Sequence, residues 1–230
     1  MRTFAFIFAR GGSKGLPGKN IKPLAGKPLL QYSVETAIAS PSIEKVFVST
    51  DDDFIADVAT RSGATVIRRP RELASDTAPE WFAWRHAIEW VFEHYGSFDE
   101  FISLPATSPL RSVEDVESAI LQRITQNADI CISVTEASRS PYFNMVKYTD
   151  DGYLELVNKP NGELSRRQDA PKVFDITTVV YATTPEFVLK NFGIFSGTVT
   201  CIEVPKKRAV DIDDIYDFML AEAIVQEKDI

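Results

Sequence analysis

An apolar run, Phe4–Phe8, leads straight into a loop with four glycines in eight residues, Gly11, Gly12, Gly15 and Gly18. A buried strand that ends in a chain with so little side-chain bulk predicts an α/β fold with an anion held at the strand's carboxyl end, because backbone N–H groups there can turn toward a ligand at close range. Charge supports this. The first 34 residues carry six positive side chains and no negative ones, although the whole 230-residue chain has a formal charge of −8. The other 196 residues therefore sum to −14. A local basic loop on an acidic protein suits a small polyanion such as a nucleoside triphosphate, and the acidic remainder argues against a nucleic-acid-binding face. The alternative is a tight turn with solvated lysines.

The loop fits neither of two familiar phosphate motifs. A P-loop needs glycine five residues before Gly-Lys and then Ser or Thr. Gly18-Lys19 has Ser13 at that spacing and Asn20 after it, and Gly26-Lys27 has Ile21 and Pro28. The Gly-x-Gly-x-x-Gly dinucleotide fingerprint is absent too, since Ser13 and Lys14 stand two residues after Gly11 and Gly12.

Strand-like and helix-like segments alternate along most of the chain. Phe4–Phe8, Lys45–Ser49, Ala64–Ile67, Phe101–Leu104 and Ile130–Val134 read as strands. Helical patterns lie between them: one begins at Pro28 and stops at Ser40-Pro41, and others span Asp53–Ser62, Pro79–Tyr95 and Val113–Gln126. Ser112 with Asp115 resembles a capping box for the last of these. This order implies right-handed crossovers and a doubly wound, mainly parallel sheet in a single domain, residues 1–230. The rhythm breaks at about 136–174, where prolines and the pairs Asp151-Gly152 and Asn161-Gly162 suggest an inserted β-rich arm with a hairpin of Tyr142–Tyr148 and Tyr153–Val157. Ile176–Thr183, Pro185–Lys190, Val199–Val204 and Asp213–Glu227 then read as strand, helix, strand and helix.

Composition is that of an ordinary globular chain, 44% hydrophobic and 25% charged. No apolar run approaches the roughly 20 residues that span a bilayer, and no secretory signal is recognisable. Cys131 and Cys201 each sit in a strand-like apolar run, which predicts two buried free thiols and a cytoplasmic location.

In open α/β sheets the ligand lies beyond the carboxyl ends of the strands. Ser49-Thr50-Asp51-Asp52, Arg68-Arg69 and the run from Pro105 to Arg111 all fall there beside the glycine loop, and arginines converging on that crevice suit a phosphorylated substrate. Farther on, Asp211 and Asp213 flank Ile212, so an extended backbone points both carboxylates the same way. Such a pair can hold Mg²⁺ while the ion keeps waters and phosphate oxygens. It can equally cap the helix that follows. His86 and His94, on the aromatic helix, read as ordinary surface or helix-terminal residues, and there is no Cys/His zinc pattern and no Gly-x-Ser-x-Gly elbow.

The wording of these segments closely resembles the acylneuraminate cytidylyltransferases. Residues 9–21, Ala-Arg-Gly-Gly-Ser-Lys-Gly-Leu-Pro-Gly-Lys-Asn-Ile, match the family's N-terminal signature. Further matches are Arg69-Pro70, the run from Glu72 to Thr77, Thr107 to Arg111, Arg166-Arg167-Gln168-Asp169 and Asp211-Ile212-Asp213. Asn20 replaces the proline typical of the related Kdo enzymes, which favours the nine-carbon branch.

The resemblance implies that CTP and a 2-keto-3-deoxy sugar acid give a CMP-sugar and pyrophosphate, by attack of the anomeric hydroxyl on the α-phosphorus. It implies a triphosphate site of Arg10, Gly11, Gly12, Ser13 and Lys19, and cytidine contacts from Asn20 and Arg69. It implies Mg²⁺ on Asp211 and Asp213, catalytic roles for Arg10, Lys19 and Asp211, and a homodimer whose arms reach toward the sugar. Thr107, Ser108, Arg166, Arg167 and Gln168 are the sugar-side candidates. Pro105 stands where sialic acid enzymes commonly have glutamine, so N-acetylneuraminate, legionaminate, pseudaminate, a deaminated nonulosonate and an eight-carbon acid all remain open as acceptors. Two other readings also stay open: a nucleotidyltransferase for another sugar, and a nucleotide sensor without turnover.

Overall fold

The computed structural model describes residues 1–159 and 166–227. Seven strands form the main sheet: β1 (Thr3–Phe8), β2 (Lys45–Thr50), β3 (Thr65–Arg68), β4 (Glu100–Ser103), β5 (Ile130–Glu136), β6 (Phe174–Thr183) and β7 (Val199–Glu203). Their order is β7-β5-β6-β4-β1-β2-β3. Only β6 runs antiparallel to its neighbours, so the sheet is mainly parallel, as the alternation predicts. The order reverses between β1 and β4, which are paired directly, and that is where a doubly wound sheet opens a ligand crevice.

The residues of β1 explain the two-sided burial. Phe4 and Phe6 join an aromatic core with Phe47, Trp84 and Phe101, while Ala5 and Ile7 join an aliphatic core on the other face. Side chains alternate along a strand, so an unbroken apolar run fits only where both faces are covered. Helix α3 (Glu80–Tyr95) covers the aromatic face with Trp81, Trp84, Ala87, Ile88 and Val91, spaced three or four apart. Helices α1 (Leu29–Ala39), α2 (Asp53–Arg61) and α4 (Val113–Thr125) cover the other. The capping box of α4 is formed by Ser112 and Asp115. A short α5 (Pro185–Lys190) joins the aromatic side, and α6 (Ile215–Glu227) packs with Phe218 and Ala221 on Leu24, Leu29, Leu110 and Ile212.

Between β5 and β6 lies the arm. Its hairpin strands are Val146–Tyr148 and Leu154–Leu156, with Lys147 opposite Glu155. The first is shorter than the sequence suggests, because residues 143–145 direct their N–H groups to the Ser140 carbonyl in a turn. The Asn161-Gly162 pair and Pro160 lie outside the described residues. Cys201 also departs from expectation. Cys131 is buried on an inner strand, where burial pushes its thiol pKa up to about 12, but Cys201 lies on the edge strand β7 and is exposed.

The pairing of β6 with β5 shifts register between Thr177 and Tyr181. Ser133 holds this irregularity: its hydroxyl accepts from Val180 N at 3.0 Å and lies 2.8 Å from the Thr177 hydroxyl. The carbonyls that the bulge leaves unpaired meet Arg111. Its Nε donates to Val179 O at 2.7 Å, Nη1 to the Ser33 hydroxyl at 2.5 Å, and Nη2 to Pro105 O at 2.5 Å. Arg111 is 5% exposed, and burial pulls its pKa down to about 9, so it stays charged at neutral pH. Sequence reasoning grouped Arg111 with the phosphate-binding arginines. The structure corrects that, because its guanidinium is enclosed among backbone carbonyls that no sequence pattern announces. Replacing it should be costly, since buried carbonyls left without a donor are penalised. Arg111→Met should lower stability by about 3 kcal/mol in urea unfolding; a loss below about 1 kcal/mol would show that water replaces the guanidinium.

Candidate active site

The glycine loop leaves β1 and folds back over the carboxyl end of the sheet. Gly11 N donates to Asp51 Oδ1 at 3.1 Å, and a Cβ on Gly11 would stand 2.8 Å from Asp52 Oδ2. Asp52 cannot move easily, because it caps α2 by accepting from Phe54 N and Ile55 N. Gly15 is tighter still: a Cβ there would collide with the backbone carbonyl oxygen of Asp213. Nothing crowds Gly12, which faces open space. Asn20 is buried and donates to Arg10 O at 3.0 Å, fixing the loop from beneath.

Lys19 links this loop to the acidic motif. Its ammonium donates to Ile212 O at 2.7 Å and pairs with Asp213 Oδ1 at 3.2 Å. Ile212 is fully buried and its N–H donates to Thr107 O at 2.8 Å, which pins the short segment between the two aspartates. Both aspartates line one cavity. Helix capping falls to the next residue, as Asp214 Oδ1 accepts from Tyr216 N and Asp217 N. Asp211 Oδ1 is buried without a hydrogen-bond partner. Burial raises the pKa of this carboxyl; the Thr107 hydroxyl opposes the rise and the charge of Asp213 adds to it. A buried, unpartnered oxygen next to an exposed carboxylate fits a divalent cation that keeps other oxygen ligands. Among the described residues no group of three or more His, Cys, Asp or Glu could hold a metal, so protein ligands beyond this pair are not supplied.

Arg69 is 8% exposed and is held by Ser49 through Nε to Oγ at 3.1 Å and Nη2 to O at 2.7 Å, with its guanidinium 5.6 Å from the Phe8 ring centre. Arg10 and Lys14 share one partner. Asp76 accepts from Arg10 at 2.8 Å and pairs with Lys14 at 2.7 Å, so its carboxyl is held below the usual range, chiefly by Lys14.

Two adjoining cavities occupy the crevice. The larger, about 550 Å³, is lined by Arg10, Ser13, Lys14, Lys19, Asn20 and Arg69 among others. The smaller, about 350 Å³, is lined by Trp81, Trp84, Pro105, Thr178, Tyr181 and Asp211 among others. Phe8, Glu80, Thr107 and Asp213 belong to both. Glu80 is exposed and lines both cavities; the neighbouring protein raises its pKa by desolvation, while Trp84 and Arg69 oppose the rise. The Tyr181 hydroxyl is pushed up to about 12 by burial and then by Glu80 and Asp211.

Not every candidate side chain comes to this crevice. Ser108 is fully buried, with its hydroxyl 2.6 Å from that of Thr178, and lines neither cavity. Arg166 pairs with Asp169 at 3.0 Å, and Gln168 lines a separate cavity of about 530 Å³ at the base of the arm. The side chain of Arg167 lies outside the described residues. Neither His86 nor His94 lines the two cavities. Sequence reasoning marks the helix start Pro79-Glu80-Trp81-Phe82 as unusual and favours packing as the reason, without assigning Glu80 a role of its own.

A cytidylyltransferase family model matches residues 4–196. The chain belongs to the cytidylyltransferase family. Among its relatives, the post-translational flagellin modification protein B of Campylobacter coli is 32% identical over 226 residues, covering 97% of this chain and 95% of that protein. The CMP-N,N'-diacetyllegionaminic acid synthase of Campylobacter jejuni matches at the same identity and coverage. An N-acylneuraminate cytidylyltransferase of Streptococcus agalactiae is 28% identical over 95% of this chain, which spans 52% of that protein. A solved CMP-2-keto-3-deoxy-manno-octonic acid synthetase, complexed with CTP, superposes with a TM-score of 0.74 at 17% identity, over 99% of this chain and all of the other, and so shares the fold.

In this cytidylyltransferase the acidic motif has a tether of its own. Arg208 donates to Asp115 through Nε at 2.9 Å and Nη2 at 2.8 Å, anchoring the segment that leads to Asp211 onto the first turn of α4. Asp115 is mostly buried, and Arg208 and the Ser112 N–H outweigh burial to hold its pKa below the ordinary 3.8. A depressed folded-state value stabilises the fold above the unfolded pKa, and that contribution fades as pH falls through the lower folded value. Asp115→Asn should therefore flatten the acid limb of a stability–pH curve below about pH 4, read by urea midpoints; an unchanged limb would count against the tether. The Asp76 contact gives a second expectation. Asp76→Asn frees Arg10 and Lys14 and should tighten CTP binding severalfold in calorimetry, whereas weaker binding would mean that Asp76 itself serves the ligand.

Proposed function

We propose that this cytidylyltransferase transfers the cytidylyl group of CTP to the anomeric hydroxyl of a 2-keto-3-deoxy sugar acid of the nonulosonate class, releasing pyrophosphate. The observation that carries this reading is the pair of adjoining cavities meeting at Asp213 and Thr107. The larger presents cations and a glycine loop, as a triphosphate requires, and the smaller presents aromatic carbon and carboxylates, as a polyhydroxylated ring can use. The relatives named for CMP-legionaminic acid and N-acylneuraminate support an acceptor of this class.

In this reading Arg10, Ser13 and Lys19, with N–H groups of Gly11 and Gly12, hold the triphosphate. The Gly11 N–H would exchange Asp51 for a phosphate oxygen. Asn20 and Arg69 face the cytidine. Asp211 and Asp213 would hold Mg²⁺, which supplies charge neutralisation for the phosphates when bound. Asp211, the more enclosed of the two, takes the proton of the acceptor hydroxyl. Lys19 and Arg10 stabilise charge on the departing pyrophosphate.

The arm has a place in the same proposal. Val146, Tyr148, Tyr153 and Leu154 on its hairpin are more than half exposed, which is apolar surface suited to a second copy of the chain. Arg166, Arg167 and Gln168 would then serve a sugar site completed across that interface. No helix among the described residues is long and apolar enough to cross a membrane, and free thiols and CTP as substrate fit a cytoplasmic site of action.

Asp213→Asn should lower CMP-sugar formation at least about 100-fold, with an unchanged far-ultraviolet circular dichroism spectrum. The check is pyrophosphate release with each of the four nucleoside triphosphates and a panel of sugar acids. Near-normal turnover of the variant at saturating Mg²⁺ would remove Asp213 from the metal site, and preference for a triphosphate other than CTP would overturn the choice of donor.

A further inference from the structure

The smaller cavity has an unbalanced charge. Glu80, Asp211 and Asp213 line it, with no lysine, arginine or histidine among its lining residues. Asp213 is paired with Lys19 from the side, and the two aspartates together suit a divalent cation. Glu80 is left over. Its Oε1 accepts from Trp84 Nε1 at 3.1 Å, but no ion-pair partner lies within 4 Å among the described residues. Arg69 attracts it from the nucleotide side, where Ser49 holds the guanidinium.

The wall beside Glu80 is aromatic. Trp84 stands 5.1 Å from Trp81, 5.7 Å from Tyr181 and 6.2 Å from Phe8, centre to centre. The indole N–H groups are already used, Trp81 on Val188 O and Asn191 O, and Trp84 on Glu80. These rings therefore offer the cavity carbon surface and π-electrons, with no indole donor to spare. A carboxylate beside a cluster of indole and phenol rings is the chemistry that recognises an organic cation. An acceptor that excludes water without bringing positive charge would leave Glu80 with only the Trp84 N–H and the distant charge of Arg69 to offset its own.

We infer that this cavity selects a sugar acid bearing a positively charged nitrogen substituent, a free amine or an amidine, held by Glu80 and the adjoining rings of Trp81, Trp84 and Tyr181. The inference rests on the reading of this cavity as the acceptor site. The sugar's own carboxylate finds no cation among the residues that line this cavity, so it would lie toward Lys19. Relatives named for N-acyl and N,N'-diacetyl acids would differ from this chain in that substituent.

The test compares three forms of one 2-keto-3-deoxy nonulosonate, differing only in whether a ring or side-chain nitrogen is a free amine, an acetamidino group or an N-acetyl group. Pyrophosphate release from CTP by the full chain at pH 7 gives kcat/KM for each. A charged form should be favoured about tenfold or more over the N-acetyl form. Glu80→Gln keeps an acceptor for the Trp84 N–H and removes the charge, so it should shrink that preference to about twofold, mainly by raising KM for the charged acceptor. Equal or reversed preference in the unaltered protein overturns the inference while leaving the cytidylyltransfer reading intact, as does a preference that Glu80→Gln leaves unmoved. Absence of pyrophosphate release with all three acceptors overturns the sugar-acid reading itself, and the inference with it.

Discussion

A single buried guanidinium orders the centre of this molecule. Arg111 joins three pieces of chain, the loop after β4 at Pro105, the bulge of β6 at Val179, and α1 at Ser33, and reinforces the direct contacts of Ser33 with Pro105 and of Ser108 with Thr178. Each hydrogen-bond partner is a backbone carbonyl or a hydroxyl, and the charges of Asp115 and Asp211 support the guanidinium without an ion-pair contact. The arrangement is favourable only if all of these donors stay matched, which makes the junction rigid. Thr107 and Thr178 hang from the loop and the bulge that Arg111 ties together, and both line the smaller cavity. The shape of that cavity is thus inherited from a residue that does not line it.

Electrostatics divides the crevice into two halves. Cations from the glycine loop and Arg69 line the larger cavity alone, Glu80 and Asp213 line both, and Asp211 lines only the smaller. Lys19 sits at the boundary, bonded to the backbone between the aspartates. A polyanion and a second substrate are thereby directed to different sides of one shared edge. The cationic half carries a counter-charge of its own. Asp76 stands between Arg10 and Lys14, as a phosphate group would.

Much of the fold could be read from the chain because the relevant forces are local. Phe4–Phe8 reads as a strand buried on both faces, and Phe4/Phe6 and Ala5/Ile7 duly separate into two cores. Ser112 and Asp115 form the capping box that their spacing implies. The glycine loop and the Asp211–Asp213 pair meet at one crevice. What escaped reading depends on contacts far apart in sequence. Arginine looks alike whether it awaits a phosphate or stitches carbonyls, and only the bulge in β6 decides for Arg111. Cys201 sits in an apolar run that resembles a core strand, yet it lies at the sheet edge, and strand order is not written in any short window. Ser108 reads as a ligand residue from its motif but turns inward to Thr178. Glu80 acquires meaning only when β1, β4 and α3 are assembled around it.

The contact of Lys19 with Asp213 spans 194 positions in sequence. Gly15 lies against the same backbone, and Ile212 enters the small cluster that seats α6. During synthesis, the first loop therefore emerges long before the segment that completes it. A nascent chain that has already paired β1, β2 and β3 possesses a basic loop but lacks its acidic counterpart. Closing so long a loop costs entropy that the preceding sheet has largely met by bringing the two ends near. The crevice is in this way completed only when almost the whole sheet exists.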